Sequence, residues 1–473
     1  MHKLTKSNFL TFLDSPLHLW AQVNKQTETK QFSVYDQLIT KQGYEVEPLA
    51  KMFLQQKLFT DYPKGSTIDF QHILTDGNYE SRIDALIHDV GNNTYDLYEI
   101  KSSTKVDKQN KYDATFQHLI GKSTLSVNKI YIVHINGDFI KDGEINFNEF
   151  FILEDMSEVI SKLEDEVFKL RSEALEVINS SEPPFKQHCY KPKDCPCKNL
   201  CHPDIGDYPI YDLSWWKVGQ YEKLVAEGYQ DLIEIPETAE LNPKQILQVR
   251  SIKQDEAIID HEGINHELGN LSFPLYFLDY ETYGPAIPIF DGYKPYQHIT
   301  FQYSLHVMER PDDIELKHFE FLETQKIDPS KKITEDLLKV ISNQGSVIVW
   351  NKSFEKKRNE ELGLLQPMYA DELLAVNERV YDLMDIFKDG LYVDYRFHGS
   401  ASIKKVLPVL VPNLSYDGME IGEGTTAMTK WWEMVNGASD KDQIAENLLE
   451  YCKLDTWAMV EIWRKLKNQI EME

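Results

Sequence analysis

The sequence predicts a mixed α/β protein with two domains joined by a connector. Its 473 residues exceed what one hydrophobic core ordinarily organises. Strand-like apolar runs alternate with helix-like patterns along the chain, which is typical of layered α/β folds. The composition, with 42% hydrophobic and 27% charged residues, is that of a globular protein. The domains are predicted at residues 1–205 and 271–473, with a polar helical connector at residues 206–270.

The first half of the chain is predicted to contain helices, a hairpin, a further strand and a long helix. Two strands meet around Gly91-Asn92, a dipeptide typical of tight hairpin turns. The run NKIYIVHIN predicts the next strand, and the chain breaks at SSEPPFK ahead of a cysteine-rich stretch. The predicted elements are helices in residues 1–30 and 34–60, strands in residues 81–101, and a helix from about Met156 to Asn179.

The last domain is predicted to open with strand PLYFLDYETY and to alternate strands with helices. Strand GSVIVW precedes a helix after Asn351, and the final helix starts near Gln443. The segment GSASIKKVLPVLVP connects them. Its Ser402, Lys404 and Lys405 are either substrate contacts or an ordinary helix cap with solvated lysines.

Charge and hydropathy limit the classes of function. The net charge of −27 argues against a protein coated by nucleic acid, because phosphate contacts come from Lys and Arg. A locally basic groove stays compatible with that charge. No run of 18 apolar residues predicts a membrane span, and the N-terminus lacks a signal-peptide pattern. We therefore expect a cytoplasmic protein with no membrane partner. Its protein partners are unknown from the sequence.

A first set of carboxylates lies on the predicted hairpin. If the turn is Gly91-Asn92, Asp84 lies opposite Glu99, and Lys101 shares the face of Glu99. Opposed carboxylates repel, and a hard divalent cation with oxygen ligands removes that repulsion. Lys101 would then position water or neutralise charge developing on phosphorus. The alternative interpretation is a surface hairpin with scattered charges.

The runs RIDALI, LYEIKSST and DATFQHLI resemble the PD-(D/E)xK nucleases of the RecB-like branch. The resemblance implies a restriction-endonuclease-like fold and a Mg²⁺ or Mn²⁺ site. A tyrosine that often follows the glutamine of this motif is replaced here by Gly121. By resemblance, the metal ligands are Asp84 and Glu99, the catalytic residues are Lys101 and Gln117, and the upstream ligand is Glu47, with Glu45 as the alternative.

Four of the five cysteines lie in one short stretch, HCYKPKDCPCKNLCHP. In a reducing compartment, such clusters are more often metal ligands than disulfides. The spacing resembles iron–sulfur members of the RecB-like branch, in which an N-terminal cysteine before proline is the fourth ligand. Ser15-Pro16 stands at that position, so the ligand is expected to be missing. The candidates are a 4Fe–4S cluster or Zn²⁺, the latter with His188 or His202, on Cys189, Cys195, Cys197 and Cys201.

A second set of carboxylates lies in the last domain. Asp279 and Glu281 are two apart on a predicted strand and share a face. Tyr451 and Asp455 are four apart on a predicted helix and also share a face. Metal ions held between strand and helix would support hydrolysis, with the tyrosine hydroxyl orienting or deprotonating water. The alternative is ordinary polar residues on an exposed strand end and helix.

This pattern resembles the DnaQ-like 3′–5′ exonucleases of the DEDDy type, which have an RNase H-like fold. Their middle motif usually carries an aspartate, and WNKSFEKK places Glu355 there, with Asp382 as the fallback ligand. Cys452 is expected to be an ordinary packed thiol.

The whole chain resembles a bacterial family that joins a RecB-like module to a DnaQ-like domain. We therefore expect a metal-dependent nuclease with two active sites that acts on nucleic acid, on DNA more than on RNA. The alternatives are an RNA-processing exonuclease, or a nucleic-acid-binding scaffold in which one nuclease domain is inactive.

Overall fold

The computed structural model describes residues 2–28, 33–184, 195–203, 205–236 and 238–471, and it is a mixed α/β fold. The chain forms two compact units. Unit 1 contains residues 1–203 together with the insertion 285–297. Unit 2 contains residues 204–284 and 298–473, so the segment predicted as a connector is part of it.

Unit 1 is built from short N-terminal helices, a long helix, a meander of strands and further helices. Capping boxes at Ser33/Asp36 and at Asp107/Asn110 fix the starts of two of these helices. The elements are β1 (Leu4–Thr5), α1 (Lys6–Asp14), α2 (Pro16–Val23), α3 (Val34–Asp61), β2 (Thr67–Asp76), β3 (Tyr79–Asp89), β4 (Thr94–Ile100), α4 (Lys108–Thr124), β5 (Val127–Ile135), α5 (Phe147–Phe150), β6 (Phe151–Asp155), α6 (Ser157–Ile178) and α7 (Lys198–Cys201).

The six-stranded sheet of unit 1 has the order β1-β3-β4-β5-β6, with β2 also paired to β3. Strands β3 and β4 are antiparallel with Ala85 opposite Tyr98, which is the register predicted from the sequence. The predicted two-residue turn was wrong, because the connection spans residues 90–93 and contains Asn93 in the left-handed region at φ +53°. Strand β5 then runs parallel to β4 after the α4 crossover.

Unit 2 alternates strands and helices and ends in a helix of 31 residues. Its elements are α8 (Val218–Ala226), α9 (Pro243–Gln254), β7 (Ile258–Ile259), α10 (His261–Gly269), β8 (Leu275–Tyr283), β9 (Ile299–Met308), β10 (Lys317–Leu322), α11 (Ser330–Val340), β11 (Ser346–Val349), α12 (Lys352–Leu365), α13 (Ala370–Glu378), β12 (Val380–Asp382), α14 (Asp385–Lys388), β13 (Tyr392–Val393), α15 (Ile403–Leu410), α16 (Gly424–Val435) and α17 (Lys441–Glu471).

The five-stranded sheet of unit 2 has the order β10-β9-β8-β11-β12, so β8 is central. Strands β9 and β10 are antiparallel to their neighbours, whereas β11 and β12 run parallel to β8. Successive β8 side chains enter opposite cores. Phe277 packs in the cluster that includes Met459 of α17, and Leu278 packs in the cluster that includes Leu337 of α11. Odd-numbered β8 residues therefore face α17.

Among the described residues, no helix combines the length and apolarity that crossing a membrane requires. The helix predicted from about Met156 to Asn179 is confirmed as α6, and the helix predicted near Gln443 is confirmed as α17.

Candidate functional site

The carboxylate cluster of unit 2 is assembled by β8 and α17. Asp279 and Glu281 occupy odd positions of β8 and so point to the face covered by α17. Asp455 lies on α17, and carboxylate oxygens of the three residues all lie within 4.8 Å of one another. The prediction that strand and helix bring these acids together is confirmed in the structure.

Burial makes this cluster electrostatically unfavourable. Burial, together with the neighbouring Asp455, raises the pKa of Asp279 well above its usual value. Burial, Asp279 and Asp455 likewise raise the pKa of Glu281, and Lys404 lowers it by a smaller amount. Burial raises the pKa of Asp455 to about 6, although tyrosine hydroxyls donate hydrogen bonds to it. Three acids held this close offer the hard oxygen atoms that a divalent cation prefers.

Two tyrosines accompany Asp455. The Tyr416 hydroxyl donates to Asp455 Oδ1 at 2.5 Å, and the ring of Tyr416 lies 6.1 Å from that of Tyr451. Burial and Asp455 raise the pKa of Tyr451, which keeps its hydroxyl protonated at neutral pH. Tyr416 was missed in the sequence because it lies in the loop after α15, with no periodic relation to the α17 motif.

The two candidates for the middle carboxylate have different surroundings. Glu355 is buried on α12, its Oε2 has no hydrogen-bond partner, and burial together with Asp279 and Glu281 raises its pKa. Asp382 instead accepts backbone N–H groups from Asn351, Lys352 and Met384 at 2.8–3.1 Å. The fallback residue therefore holds the start of α12, and its oxygens are already occupied.

Cys452 is more than a packed thiol. It is fully buried on α17, and its Sγ lies 3.6 Å from Asp279 Oδ2. Burial and the surrounding acids raise the pKa of Cys452, so the thiol is a neutral, weak donor to the carboxylate cluster.

The cluster of unit 1 joins the hairpin to α4. Glu99 is buried on β4 and accepts from Lys101 Nζ and Gln117 Nε2, each at 2.7 Å. Asp84 on β3 accepts from the Ile100 backbone N–H at 2.8 Å. Burial and the Glu99 charge raise the pKa of Asp84 to about 6. The structure thus brings together the hairpin acids, the lysine and the helix glutamine that the sequence singled out.

Two further groups of this cluster were missed. Lys6 on α1 donates to Glu99 Oε1 at 2.7 Å, the same oxygen that Lys101 contacts. Asp113, one turn before Gln117 on α4, accepts from Lys101 at 2.8 Å. Burial alone would raise the pKa of Glu99, but the Lys101 and Lys6 ammonium groups lower it to about 2. Asp113 could have been predicted, because it lies in the DATFQ run that also contains Gln117. Nothing in the sequence around Lys6 indicates that it contacts Glu99.

Gln71 connects Glu47 to this cluster by hydrogen bonds. Gln71 Nε2 donates to Glu47 Oε1 and to Asp84 Oδ1, each at 3.2 Å. Gln71 has a φ of +58° inside β2, a conformation that a non-glycine residue adopts at a cost. Glu47 also accepts from Lys51 at 2.7 Å, and Glu45 is exposed. The contacts favour Glu47 over Glu45 as the upstream acid.

The cysteine cluster acquires a histidine that the sequence analysis did not include. His18 on α2 lies in a buried group with Cys195, Cys197 and Cys201. One ring nitrogen of His18 and the three sulfur atoms all lie within 4.8 Å of one another. Ser15-Pro16 offers no cysteine, as expected, but the N-terminal position is not without a candidate ligand, because His18 lies three residues later and its ring nitrogen faces the cysteines. The fourth predicted cysteine, Cys189, and the alternative ligand His188 lie outside the described residues. The other alternative, His202, is not a member of this group.

The imidazole of His18 is oriented by a carboxylate. Asp14 Oδ2 lies 2.6 Å from His18 Nδ1, while His18 Nε2 faces Cys195 Sγ at 3.5 Å. With the proton on Nδ1, the lone pair of Nε2 points at the thiols. Metal-bound histidines commonly have this arrangement, because the carboxylate fixes the tautomer and increases ligand basicity. The donor set therefore fits a metal ion, and it connects α2 to the segment that enters α7.

Comparisons with known proteins add family context without a described activity. A family model described as a domain of unknown function, DUF2779, matches residues 276–402, which include Asp279, Glu281 and Glu355. The uncharacterized protein MG366 homolog of Mycoplasma pneumoniae is 30% identical over 216 residues, which are 41% of this chain and 32% of that protein. The uncharacterized protein MG366 of Mycoplasma genitalium is 28% identical over 208 residues, which are 39% of this chain and 31% of that protein. The chain thus spans about a third of the length of these curated relatives. No solved structure matches it.

Proposed function

We propose that this protein is a Mg²⁺- or Mn²⁺-dependent nuclease with one active site in each unit, acting on DNA more than on RNA. The observation that carries the proposal is the convergence of Asp279, Glu281 and Asp455 within 4.8 Å in a buried site. Such a cluster is unfavourable without a cation, and carboxylate-held divalent ions commonly serve hydrolysis at phosphorus. The proposed folds are RNase H-like for unit 2 and PD-(D/E)xK-like for unit 1.

In unit 2, Asp279, Glu281 and Asp455 would hold the ion, with Glu355 as the next acid. The ion would neutralise charge on the phosphate that is attacked. Tyr451 is protonated at neutral pH, so its hydroxyl orients the attacking water by hydrogen bonding and does not abstract a proton. Tyr416 holds Asp455 by its hydrogen bond and is a positioning residue.

In unit 1, Asp84 and Glu99 would hold the ion, and Glu47, which shares the Gln71 amide with Asp84, would be the upstream acid. Lys101 remains charged, because Glu99 and Asp113 raise its pKa despite its burial. A charged lysine neutralises the phosphate and orients water, which favours that role over general-base catalysis. Gln117 fixes the orientation of the Glu99 carboxylate.

A scaffold in which unit 1 is inactive is the second candidate, and one observation favours it. Lys6 Nζ is bonded to Glu99 Oε1 at 2.7 Å, so an internal cation already neutralises one metal ligand. Under this reading, the unit 2 site alone would cleave. An RNA-processing exonuclease is the remaining alternative. It would cleave RNA in preference to DNA, which distinguishes it from the other two.

At the cysteine cluster, we propose a single Zn²⁺ ion in place of an iron–sulfur cluster. Tetrahedral zinc with thiolates at ~2.3 Å and imidazole at ~2.0 Å implies contacts of about 3.8 Å between sulfurs and about 3.5 Å between sulfur and nitrogen. The Cys197–Cys201 Sγ atoms and the Cys195 Sγ–His18 Nε2 pair are each 3.5 Å apart. A cluster of four irons would hold its ligands farther apart. The zinc would connect α2 to the chain leaving unit 1.

The test uses the purified full chain with Mg²⁺ or Mn²⁺ on end-labelled single- and double-stranded DNA and RNA. Lys101→Ala and Asp279→Asn should each remove one component of cleavage, and the double variant should remove all cleavage. The exposed Lys105→Ala and Glu450→Gln serve as matched controls and should cleave as the wild type does. Cleavage that survives the double variant, or no cleavage of any of the four substrates by the wild type, would contradict the proposal. Selective loss only in Asp279→Asn would support the scaffold reading for unit 1.

A further inference from the structure

Trp215 has an unusual combination of exposure and backbone conformation. Its side chain is 62% exposed, although a tryptophan normally buries most of its large apolar surface. Its φ is +54°, in the left-handed region, where the Cβ atom of a non-glycine residue comes too close to the backbone carbonyl oxygen. A bulky exposed residue gains nothing in stability from this conformation. Strain of this kind motivates a search for function.

Two buried glutamines hold the peptide that precedes Trp215. The Ser214 N–H donates to Gln248 Oε1 at 2.8 Å, and Gln245 Nε2 donates to the Ser214 carbonyl at 2.8 Å. Both glutamines lie on α9 and are almost fully buried. Gln248 Nε2 also donates to the Asp212 carbonyl at 2.7 Å. The hydrogen bonds fix the backbone so that the indole is held outward.

Cations and polar side chains surround the indole. The ammonium of Lys388 lies 5.7 Å and that of Lys244 6.0 Å from the Trp215 ring centroid. Beside the ring is a cavity of about 390 Å³. Its wall carries amide, lysine and glutamate side chains: Lys217, Gln220, Lys223, Glu227, Glu240 and Asn242. Lys223 Nζ and a carboxylate oxygen of Glu240 are paired at 2.7 Å. The ring and the cavity wall together carry four lysines and two glutamates, and one lysine is paired with a glutamate: Lys217, Lys223, Lys244, Lys388, Glu227 and Glu240.

We infer that Trp215 and the adjoining cavity bind single-stranded nucleic acid, with a base stacked on the indole and phosphates against Lys244 and Lys388. This inference rests on the proposed nuclease function and names a substrate-holding surface for it. A flat π-face beside cations is the arrangement by which proteins hold unpaired bases without reading sequence. Gln220 and Asn242 both bond to Gln245, Gln220 through its side-chain amide and Asn242 through Oδ1, and so fix the wall of the cavity beside the ring. An acidic peptide would use the lysines but not the exposed π-face.

The experiment measures binding of fluorescein-labelled oligo-dT and oligo-U 20-mers to the full chain by anisotropy, in EDTA so that nothing is cleaved. Trp215→Ala should weaken binding about tenfold or more, which is the usual effect of losing a stacking platform. Trp215→Phe should retain most of the affinity. Phe59→Ala removes a side chain that is 84% exposed in unit 1, and it should bind as the wild type does. Lys388→Gln should lower the salt slope of log Kd by about 0.7.

Trp215→Gly separates binding from folding. Glycine adopts positive φ without strain, so this variant should keep or raise the thermal midpoint while losing affinity. Equal oligonucleotide affinity of wild type, Trp215→Ala and Trp215→Gly, in a protein that still cleaves with Mg²⁺, overturns this inference and leaves the nuclease proposal intact. A wild type that neither binds nor cleaves any oligonucleotide overturns both. Tighter binding of a labelled polyglutamate peptide than of either oligonucleotide also overturns the inference.

Discussion

Replacing Asp455 by asparagine should stabilise the metal-free protein at neutral pH. Burial raises the pKa of Asp455 from 3.8 to about 6. One pKa unit corresponds to ~1.36 kcal/mol, so ionising this buried carboxyl at pH 7 costs the folded state about 3 kcal/mol. Asparagine keeps an oxygen that accepts from Tyr416 and removes the charge that also raises the pKa values of Asp279 and Glu281. The expected gain in unfolding free energy is therefore up to about 3 kcal/mol.

The sign of the effect fixes its pH window. Below pH 3.8 the carboxyl is protonated in both folded and unfolded chains, and the substitution should have little effect. Between pH 3.8 and about 6 the unfolded chain ionises first, so wild-type stability falls relative to the variant as the pH rises. Above about pH 6 the difference is complete. Added Mg²⁺ should narrow the difference at pH 7, because the ion stabilises only the intact carboxylate cluster.

Tryptophan fluorescence is the appropriate assay. Seven of the eight tryptophans lie in unit 2 and only Trp20 lies in unit 1, so the signal reports the unit that contains Asp455. In EDTA at pH 7 the midpoint should rise by up to roughly 6–12 °C for a unit of this size. Asp382→Asn is the matched control. It weakens a carboxylate that accepts three backbone N–H groups, so it should lower stability by about 1–3 kcal/mol. Destabilisation by Asp455→Asn, or a gain that is equal at pH 4 and pH 7, would refute the reasoning.

Three further outcomes are expected. Lys101→Ala should reduce cleavage by the unit 1 site at least about 100-fold. It should also lower the thermal midpoint, because the buried Glu99 and Asp113 lose a cation partner. Unchanged cleavage in a variant that lacks unit 2 activity would exclude this role. The purified protein should carry one zinc per chain by elemental analysis. His18→Ala should lose it, whereas a brown protein with iron would contradict the zinc assignment. Tyr451→Phe should lower kcat about 100-fold with little change in KM. Tyr416→Phe should instead shift the pH dependence of metal binding to higher pH, because the Tyr416 hydrogen bond lowers the pKa of Asp455.

Local periodicity carried most of what could be predicted from the sequence. The two-residue repeat of β8 placed Asp279 and Glu281 on one face, and the hairpin pattern gave the register that sets Ala85 opposite Tyr98. The contacts that could not be predicted join residues far apart in the sequence. His18 contacts cysteines more than 170 residues away, and no spacing rule connects α2 to α7. Tyr416 and Lys6 likewise reach their partners only through tertiary packing, so neither carried a signal beyond its residue type.

Glu99 of unit 1 and the three acids of the unit 2 cluster hold their charges by opposite means, and this difference should govern how each site responds to metal. In unit 1, Lys6 and Lys101 bond to Glu99 and lower its pKa to about 2, so the ligand is ionised and already neutralised. A divalent ion must displace an ammonium to reach that oxygen. In unit 2, the pKa values of Asp279, Glu281 and Asp455 are all raised, chiefly by burial. Metal there relieves an existing cost, so the unit 2 site should bind the ion more tightly and should protect its unit more strongly against unfolding.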